Sequence, residues 1–298
     1  MYSCSYKSSD GLDLHYLFWP ARVETNSCCL LLHGFSNDAH IWDSLAEKLS
    51  RVHNVIAVDF RGHGDSSWDN LCNYSHDQLI DDIWRLVGSK PYGEWHVIGH
   101  SLGARTAVLM LHTKAFIPKC CIVIDTSPKV NTSALKQIQK VSIMSPVKFD
   151  SPRDFYEHYA RIYLFAEPAR LDLMVRHGLK KIDGRWVSKT DPHFSKALWG
   201  MDTDHKVFEN LSSLLGQKLW SAFEDLSMPV LLLRGEHSSM LDSNTANKMV
   251  NEVIPNGQLN VISDAGHSLM IDNPDDFESS VIKFIKNVKL GRSIGLMD

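Results

Sequence analysis

The 298-residue sequence predicts an α/β fold built on a mostly parallel sheet covered on both faces. Three observations carry that expectation. Short apolar runs recur along the chain; they are continuous rather than alternating, as strands buried on both faces are; and amphipathic segments with helical period separate most of them. Apolar residues make up 44% of the chain, enough to bury one large core, while the length alone allows one domain or two.

Each element has its own signal. Tyr2 to Tyr6 and Leu12 to Phe18 alternate around Ser9-Asp10-Gly11, whose Asp-Gly step predicts an antiparallel hairpin. Cys28 to Leu32 is a buried run ending in His33-Gly34-Phe35, and a helix-like segment, Ile41 to Leu49, follows. Val55 to Val58 is the next buried run. It ends in the glycine-punctuated loop Asp59-Phe60-Arg61-Gly62-His63-Gly64-Asp65-Ser66, after which Ser75 to Val87 reads as an amphipathic helix. Trp95 to Ile98, Gly99-His100-Ser101-Leu102-Gly103 and Ala104 to Leu111 read as strand, sharp turn and helix. Cys120 to Ile124 is a further strand, stopped by Asp125-Thr126-Ser127-Pro128.

From about Val130 to Leu226 the pattern changes to helix-period segments rich in Met, Tyr, Phe and Trp, with no buried strand. This predicts a helical insertion over 130–226 within a core formed by 1–129 and 227–298. The core pattern then resumes, with Pro229 to Leu233 as a strand, Ser243 to Val253 as a helix, Leu259 to Ile262 as a strand and Asp275 to Val288 as a closing helix.

Composition excludes several functions. Thirty-one basic against 35 acidic residues give a formal charge of −4 with no basic block, which argues against nucleic acid and against polybasic membrane docking and leaves a small molecule as the expected ligand. The first twenty residues lack the basic start and apolar core of a signal peptide, and no run is long enough to cross a membrane. Cys4, Cys28, Cys29, Cys72, Cys120 and Cys121 show no Cys-x-x-Cys spacing. The two adjacent pairs fall in strand-like runs, where neighbours point to opposite faces, so they read as reduced core residues of a cytoplasmic protein. Nothing in the sequence calls for a metal or an organic cofactor.

A serine on a strand-to-helix turn needs glycines beside it where a Cβ would clash, and its hydroxyl is then presented outward. Gly-x-Ser-x-Gly can equally describe a turn that only packs a helix on a strand. Four signatures in order raise the chemical reading: His33-Gly34-Phe35, Asp59 to Ser66, the turn at Ser101, and Asp264-Ala265-Gly266-His267 after the last strand. With these, nearly the whole chain resembles the α/β-hydrolase superfamily. The resemblance implies an eight-stranded sheet, a helical lid over 130–226, and a serine nucleophile with a histidine base and a carboxylate.

By that resemblance Ser101 is the nucleophile and His267 the base, and the backbone N–H groups of Phe35 and Leu102 form the oxyanion hole. His33 and His100 read as structural neighbours of those loops. The usual acid position, after Val230 to Leu233, is where the sequence departs: the loop runs Arg234-Gly235-Glu236-His237-Ser238-Ser239-Met240-Leu241-Asp242, with Ser239 about where many relatives carry Asp. Part of the superfamily instead reads Asp-Ile-Ala/Ser-Pro at the end of the strand after the elbow helix, where this chain has Asp125-Thr126-Ser127-Pro128. Asp125, 24 residues beyond Ser101, matches that pattern and is the preferred acid. Asp242 precedes a helix-like run and reads as an N-cap, Glu236 as a solvated loop residue, and Asp59, Asp65 and Asp264 as turn residues.

The resemblance implies hydrolysis of a carboxylic ester or thioester of a small apolar substrate through an acyl-serine, with C–C bond hydrolysis or lyase chemistry as enzyme alternatives and a non-catalytic ligand-binding protein as the rival of another class. Epoxide hydrolysis and dehalogenation are disfavoured because relatives with that chemistry carry Asp where this chain has Ser101. Met144, Tyr156, Tyr159, Tyr163, Trp186, Trp199 and Met201 are lid candidates for an acyl pocket, each more simply read as lid packing. Asp183-Gly184-Arg185-Trp186-Val187 with Asp191-Pro192 resembles a lid segment. Acyl length and oligomeric state are not encoded in any motif.

Overall fold

The computed structural model describes residues 1–129, 148–194 and 205–291. The strands are β1 (Tyr2–Lys7), β2 (Asp13–Trp19), β3 (Ser27–Leu32), β4 (Asn54–Val58), β5 (Glu94–His100), β6 (Cys120–Ile124), β7 (Lys148–Phe149), β8 (Leu179–Ile182), β9 (Arg185–Ser188), β10 (Val230–Gly235) and β11 (Gly257–Ile262). The helices are α1 (Asp43–Leu49), α2 (His76–Gly88), α3 (Leu102–His112), α4 (Pro152–Ala160), α5 (Pro168–Gly178), α6 (His205–Glu224), α7 (Ser243–Lys248), α8 (Leu269–Asp272) and α9 (Pro274–Lys289), with a 3₁₀ turn at Ala39–Trp42 leading into α1.

Eight strands form one sheet in the order β1-β2-β4-β3-β5-β6-β10-β11. The hairpin β1-β2 pairs antiparallel, as does β2 with β4, and the remaining pairs are parallel. The expected mostly parallel eight-stranded α/β sheet is therefore present. Because β3, β4, β5, β6 and β10 are fully or almost fully buried, their continuous apolar runs fill both sides of the sheet. One face carries α2 and α3 through Leu79, Ile83, Leu86, Ala104 and Val108. The other carries α1 and α9 through Leu45, Leu49, Phe277, Val281 and Phe284.

The adjacent cysteines show the alternation directly. Cys28 and Cys121 pack on the α2-α3 face and Cys29 and Cys120 on the α1-α9 face, all four buried and unpaired. Burial pushes their thiol pKa values up, so they stay protonated and behave as small apolar residues.

The region read as purely helical also contains a small antiparallel sheet, β7-β9-β8, which corrects that expectation. Its strands are two to four residues long and mostly half-exposed, too short and too polar to leave a buried-strand signal. Asp183 and Gly184 join β8 to β9 in a two-residue turn with φ of 48° and 79°, the conformation that suits the twist of a tight hairpin. Phe149, Phe155, Tyr159, Leu171 and Leu179 form a satellite core for this segment. Its far end is fastened to the loop after β4: Asp191 donates its N–H to the Gly62 carbonyl at 2.8 Å, Tyr74 donates its hydroxyl to the Asp191 carboxylate, and Phe194 is buried against Phe35, His63 and Tyr74. Tyr156, Tyr159, Tyr163 and Trp186 all pack in or against the satellite core, whereas Met144, Trp199 and Met201 lie outside the described residues.

Candidate active site

The site lies at the carboxyl ends of β5, β6 and β11, with β10 between the last two. Ser101 follows β5, and its N–H donates to the carbonyl of Ile124, the last residue of β6, at 3.0 Å. Asp125 follows β6, and its N–H donates to Leu233 of β10 at 2.8 Å. The ladder thus runs past the strands and fixes both backbones.

Ser101 has φ of 50° and ψ of −108°, a strained conformation for a residue with a side chain. The flanking glycines make it possible. A Cβ on Gly103 would stand 2.3 Å from the carbonyl oxygen of Leu32, and one on Gly99 would stand 2.7 Å from the backbone of Gly103 and Ala104. Helix α3 is thereby pressed onto β3 and β5, and the serine is held at its tip.

His267 lies five residues past the end of β11. The Ser101 hydroxyl donates to its Nε2 at 3.0 Å, and its Nδ1–H donates to Asp125 Oδ2 at 2.7 Å. With Nδ1–H donating to the carboxylate oxygen, this bond fixes the tautomer that leaves Nε2 free to receive a proton. Asp125 is fully buried at φ of 44°. The structure therefore brings Ser101, His267 and Asp125, read from three separate stretches of sequence, into one hydrogen-bonded line.

The Asp125 carboxylate has further partners. The Gly235 N–H donates to Oδ1 at 3.3 Å, and the Ser238 hydroxyl donates to Oδ2 at 2.5 Å. Ser238 is buried and its Oγ accepts from the N–H groups of Met240 and Leu241 at 3.1 and 3.3 Å. Sequence reasoning pointed to Ser239 as the residue standing in place of an acid and missed Ser238; Ser239 is exposed. The only sequence signal was a hydroxyl in that loop.

The rival carboxylates are engaged elsewhere. Asp242 caps α7, taking the Thr245 N–H and hydroxyl at 2.8 Å each, and the Thr245 N–H holds its pKa below the usual range. Glu236 is exposed and accepts from the N–H of Asp264 at 3.3 Å. Asp59 is buried and collects His15 Nδ1 and the N–H groups of Ala39 and Asp65 at 2.6 to 2.9 Å, so it organises the loop after β4.

The residues expected to supply the oxyanion hole lie on the two loops that meet at the serine. Leu102 is the first residue of α3, where helical N–H groups lack intrahelical acceptors. Phe35 sits in a tight turn closed by the Asn37 N–H donating to Gly34 at 3.2 Å, with Ser36 at φ of 60°. Gly34 lies directly against the elbow: a Cβ there would approach His100 Nδ1 to 2.5 Å and Ser101 Cβ to 3.4 Å.

Buried neutral histidines shape these loops. His100 donates from Nε2 to the His267 carbonyl at 2.9 Å. His33 donates from Nδ1 to the Gly34 carbonyl at 2.7 Å and accepts the Phe60 N–H at 3.1 Å, while His63 accepts the Ser36 N–H at 3.2 Å. Burial lowers all three pKa values, that of His63 to about 3, so the rings bind as neutral donors and acceptors.

Asp272 supports the loop that carries His267. Its Oδ2 accepts the Gly266 N–H at 2.9 Å, and burial raises its pKa to about 6. Beside the elbow, Arg105 donates from Nε to Thr126 Oγ1 at 3.2 Å, has no carboxylate partner among the described residues, and is drawn down to about 10 by desolvation.

A hydroxyl, an imidazole and a buried carboxylate in line can form a nucleophilic alkoxide and return the proton to a leaving group. A sequence profile for the alpha/beta hydrolase fold matches residues 30–274, most of the chain and the whole of this array. The chain belongs to the α/β-hydrolase family. Among curated relatives, this α/β-hydrolase is 26% identical over 256 residues to 2-(acetamidomethylene)succinate hydrolase of Mesorhizobium japonicum, covering 86% of this chain and 87% of that one. It is 24% identical over 295 residues to sn-1-specific diacylglycerol lipase ABHD11 of Danio rerio, covering 95% and 86%. The crystal structure of E-2-(acetamidomethylene)succinate hydrolase superposes with a TM-score of 0.79 at 23% identity over 96% of this chain and all of that one, a likeness of fold. Among the described residues of this α/β-hydrolase, no helix is long and apolar enough to cross a membrane.

Proposed function

We propose that the chain is a serine hydrolase that cleaves a carboxylic ester or thioester of a small apolar substrate, in the carboxylic-ester hydrolase class. The observation that supports this most directly is the line from Ser101 Oγ through His267 to Asp125, with contacts of 3.0 and 2.7 Å. In this reading His267 Nε2 takes the Ser101 proton as Oγ attacks the acyl carbonyl. The oxyanion is met by the N–H groups of Phe35 and Leu102, worth on the order of 10²-fold or more per donor. His267 then protonates the leaving group, and a water activated by the same nitrogen releases the acid from the acyl-serine. Asp125 holds the ring and stabilises the imidazolium. Residues 130–226 act as the lid over a core of 1–129 and 227–298. The unpaired buried cysteines suit a reducing, cytoplasmic setting.

Arg105 favours a second reading of the substrate, in which the acyl group carries its own carboxylate. A half-buried guanidinium four residues past Ser101, with no acidic partner among the described residues, is a charge that an anionic substrate would satisfy. The hydrolysis of a succinate derivative by one relative agrees with that reading.

A fluorophosphonate probe tests the mechanism. Wild-type protein is expected to be labelled, Ser101→Ala is not, and Asp125→Asn is expected to lose on the order of 10⁴-fold in turnover of short p-nitrophenyl esters. No labelling and no turnover by the wild type would assign the chain to the non-catalytic ligand-binding class. Near-normal turnover by Asp125→Asn would remove Asp125 from the mechanism. A panel of neutral and carboxylate-bearing esters and thioesters separates the two substrate readings.

A further inference from the structure

A second cluster of metal-ligating side chains lies away from Ser101, where the inserted segment meets the core. His40 belongs to the 3₁₀ turn after the Phe35 loop, Asp43 opens α1, and His177 lies in the last turn of α5, which is 125 or more residues further along the chain. The two imidazoles stack with centroids 3.5 Å apart and planes 19° apart. Asp43 lies at 3.1 and 3.2 Å from His40 Nδ1. One nitrogen or oxygen from each of the three residues falls within 4.8 Å of the others. Among the described residues no hydrogen bond is made by either ring nitrogen of His177, and the carboxylate of Asp43 is met by no residue besides His40.

We propose that His40, Asp43 and His177 bind a divalent transition-metal ion such as Zn²⁺, with water completing the coordination. Two imidazoles and one carboxylate are a donor set suited to zinc, copper or nickel rather than to magnesium or calcium. Ligand atoms around a tetrahedral zinc stand about 3.3 Å apart, given bonds of about 2.0 Å. The His40 to Asp43 distances of 3.1 and 3.2 Å are close to that value, and binding requires the His177 ring to turn out of its stack on His40. The side chains of His40 and Asp43 are 12% and 29% exposed, so an ion can enter. Asp59 lends negative potential on the His40 side, while Lys189 and Arg176 oppose it on the His177 side.

A comparable cluster shows what disqualifies a site. His15, Asp59 and Asp65 are equally close, but the Asp59 carboxylate is spent on His15 and two backbone N–H groups, and His15 Nε2 meets Ser3 at 2.9 Å. Its donors are already consumed by the fold. The His40 cluster also borders an open cleft lined by Ser36, Asn37, Met174, Gly178 and Ile271 among others, which neither Ser101 nor His267 lines. A bound ion would tie α5 to the turn that follows Phe35 and fix one wall of that cleft.

Isothermal calorimetry of the chelator-treated full-length protein with ZnCl₂, paired with Co²⁺ absorption spectroscopy, tests this independently of any hydrolase activity. One ion per chain is expected, with a visible Co²⁺ band of low-symmetry coordination by nitrogen. His40→Ala and His177→Gln should each weaken binding on the order of 100-fold, while His15→Ala and His267→Ala should bind as the wild type does. Circular dichroism confirms that each variant is folded, and His177→Gln is chosen because a half-exposed helix terminus tolerates it. Absence of binding at 1 Zn²⁺ per chain up to millimolar metal, expected on no other ground than an unfit site, overturns the proposal. So does binding that survives both His40→Ala and His177→Gln.

Discussion

Ser238 shows how a residue with no motif can matter at the site. It reaches Asp125 across 113 positions of sequence and gives the carboxylate a second strong donor beside His267. That bond shares the negative charge and fixes the rotamer that faces the imidazole. Ser238→Ala is expected to lower kcat about tenfold with little change in KM, the equivalent of one charged hydrogen bond partly replaced by water. Steady-state kinetics on a single ester separate the two constants. Asp272 gives a pH signature at the same scale. Burial raises its pKa to about 6, above its value in the unfolded chain, so its protonated form is the one the fold favours. Its contribution is greatest below about pH 4 and is lost as pH rises through about 6. Asp272→Asn should therefore raise Tm at pH 7.5, with the gain fading toward pH 4, a difference that calorimetry at a series of pH values resolves.

Among the elements, α7 and the loop before it separate structure from chemistry. Asp242 gives both carboxylate oxygens to Thr245 and so serves the first turn of the helix. Asp242→Ala is expected to cost about 1 kcal/mol of stability while leaving ester turnover unchanged; urea denaturation and kinetics on the same preparation check both halves. The elements that sequence could reveal were those whose burial imposes a period. The run Cys120 to Ile124 appears in the structure with the same ends, and Ser75 caps α2 where the helix was expected to begin. The β7-β9-β8 sheet was hidden because two- and four-residue strands with exposed faces impose no pattern on their side chains. In the site, the Gly-flanked serine and the Gly-His pair were readable because local backbone demands select those residues. Ser238 was not, because its partner is set only when β10 lies beside β6.

Across the whole molecule, Arg61 joins parts that no single element connects. Its guanidinium is fully buried and meets Asp82 of α2 at 2.6 and 2.8 Å, Asp10 of the first hairpin at 2.9 and 3.1 Å, and Asp69 at 3.3 Å. Removing it would strand Asp69 and Asp82 in a desolvated place. Arg61→Ala is expected to destabilise the protein by about 3–5 kcal/mol, read as a lower denaturation midpoint at an unchanged slope. A different vulnerability follows from where His267 is attached. It hangs from β11, the outermost strand, which has a neighbour on one side only and whose residues are mostly half-exposed. Ser101 and Asp125 stand on interior strands with neighbours on both sides. Terminal strands open at lower free energy than central ones. As urea is raised, then, inactivation should run ahead of global unfolding, with probe labelling of Ser101 fading while tryptophan fluorescence still reports an intact core.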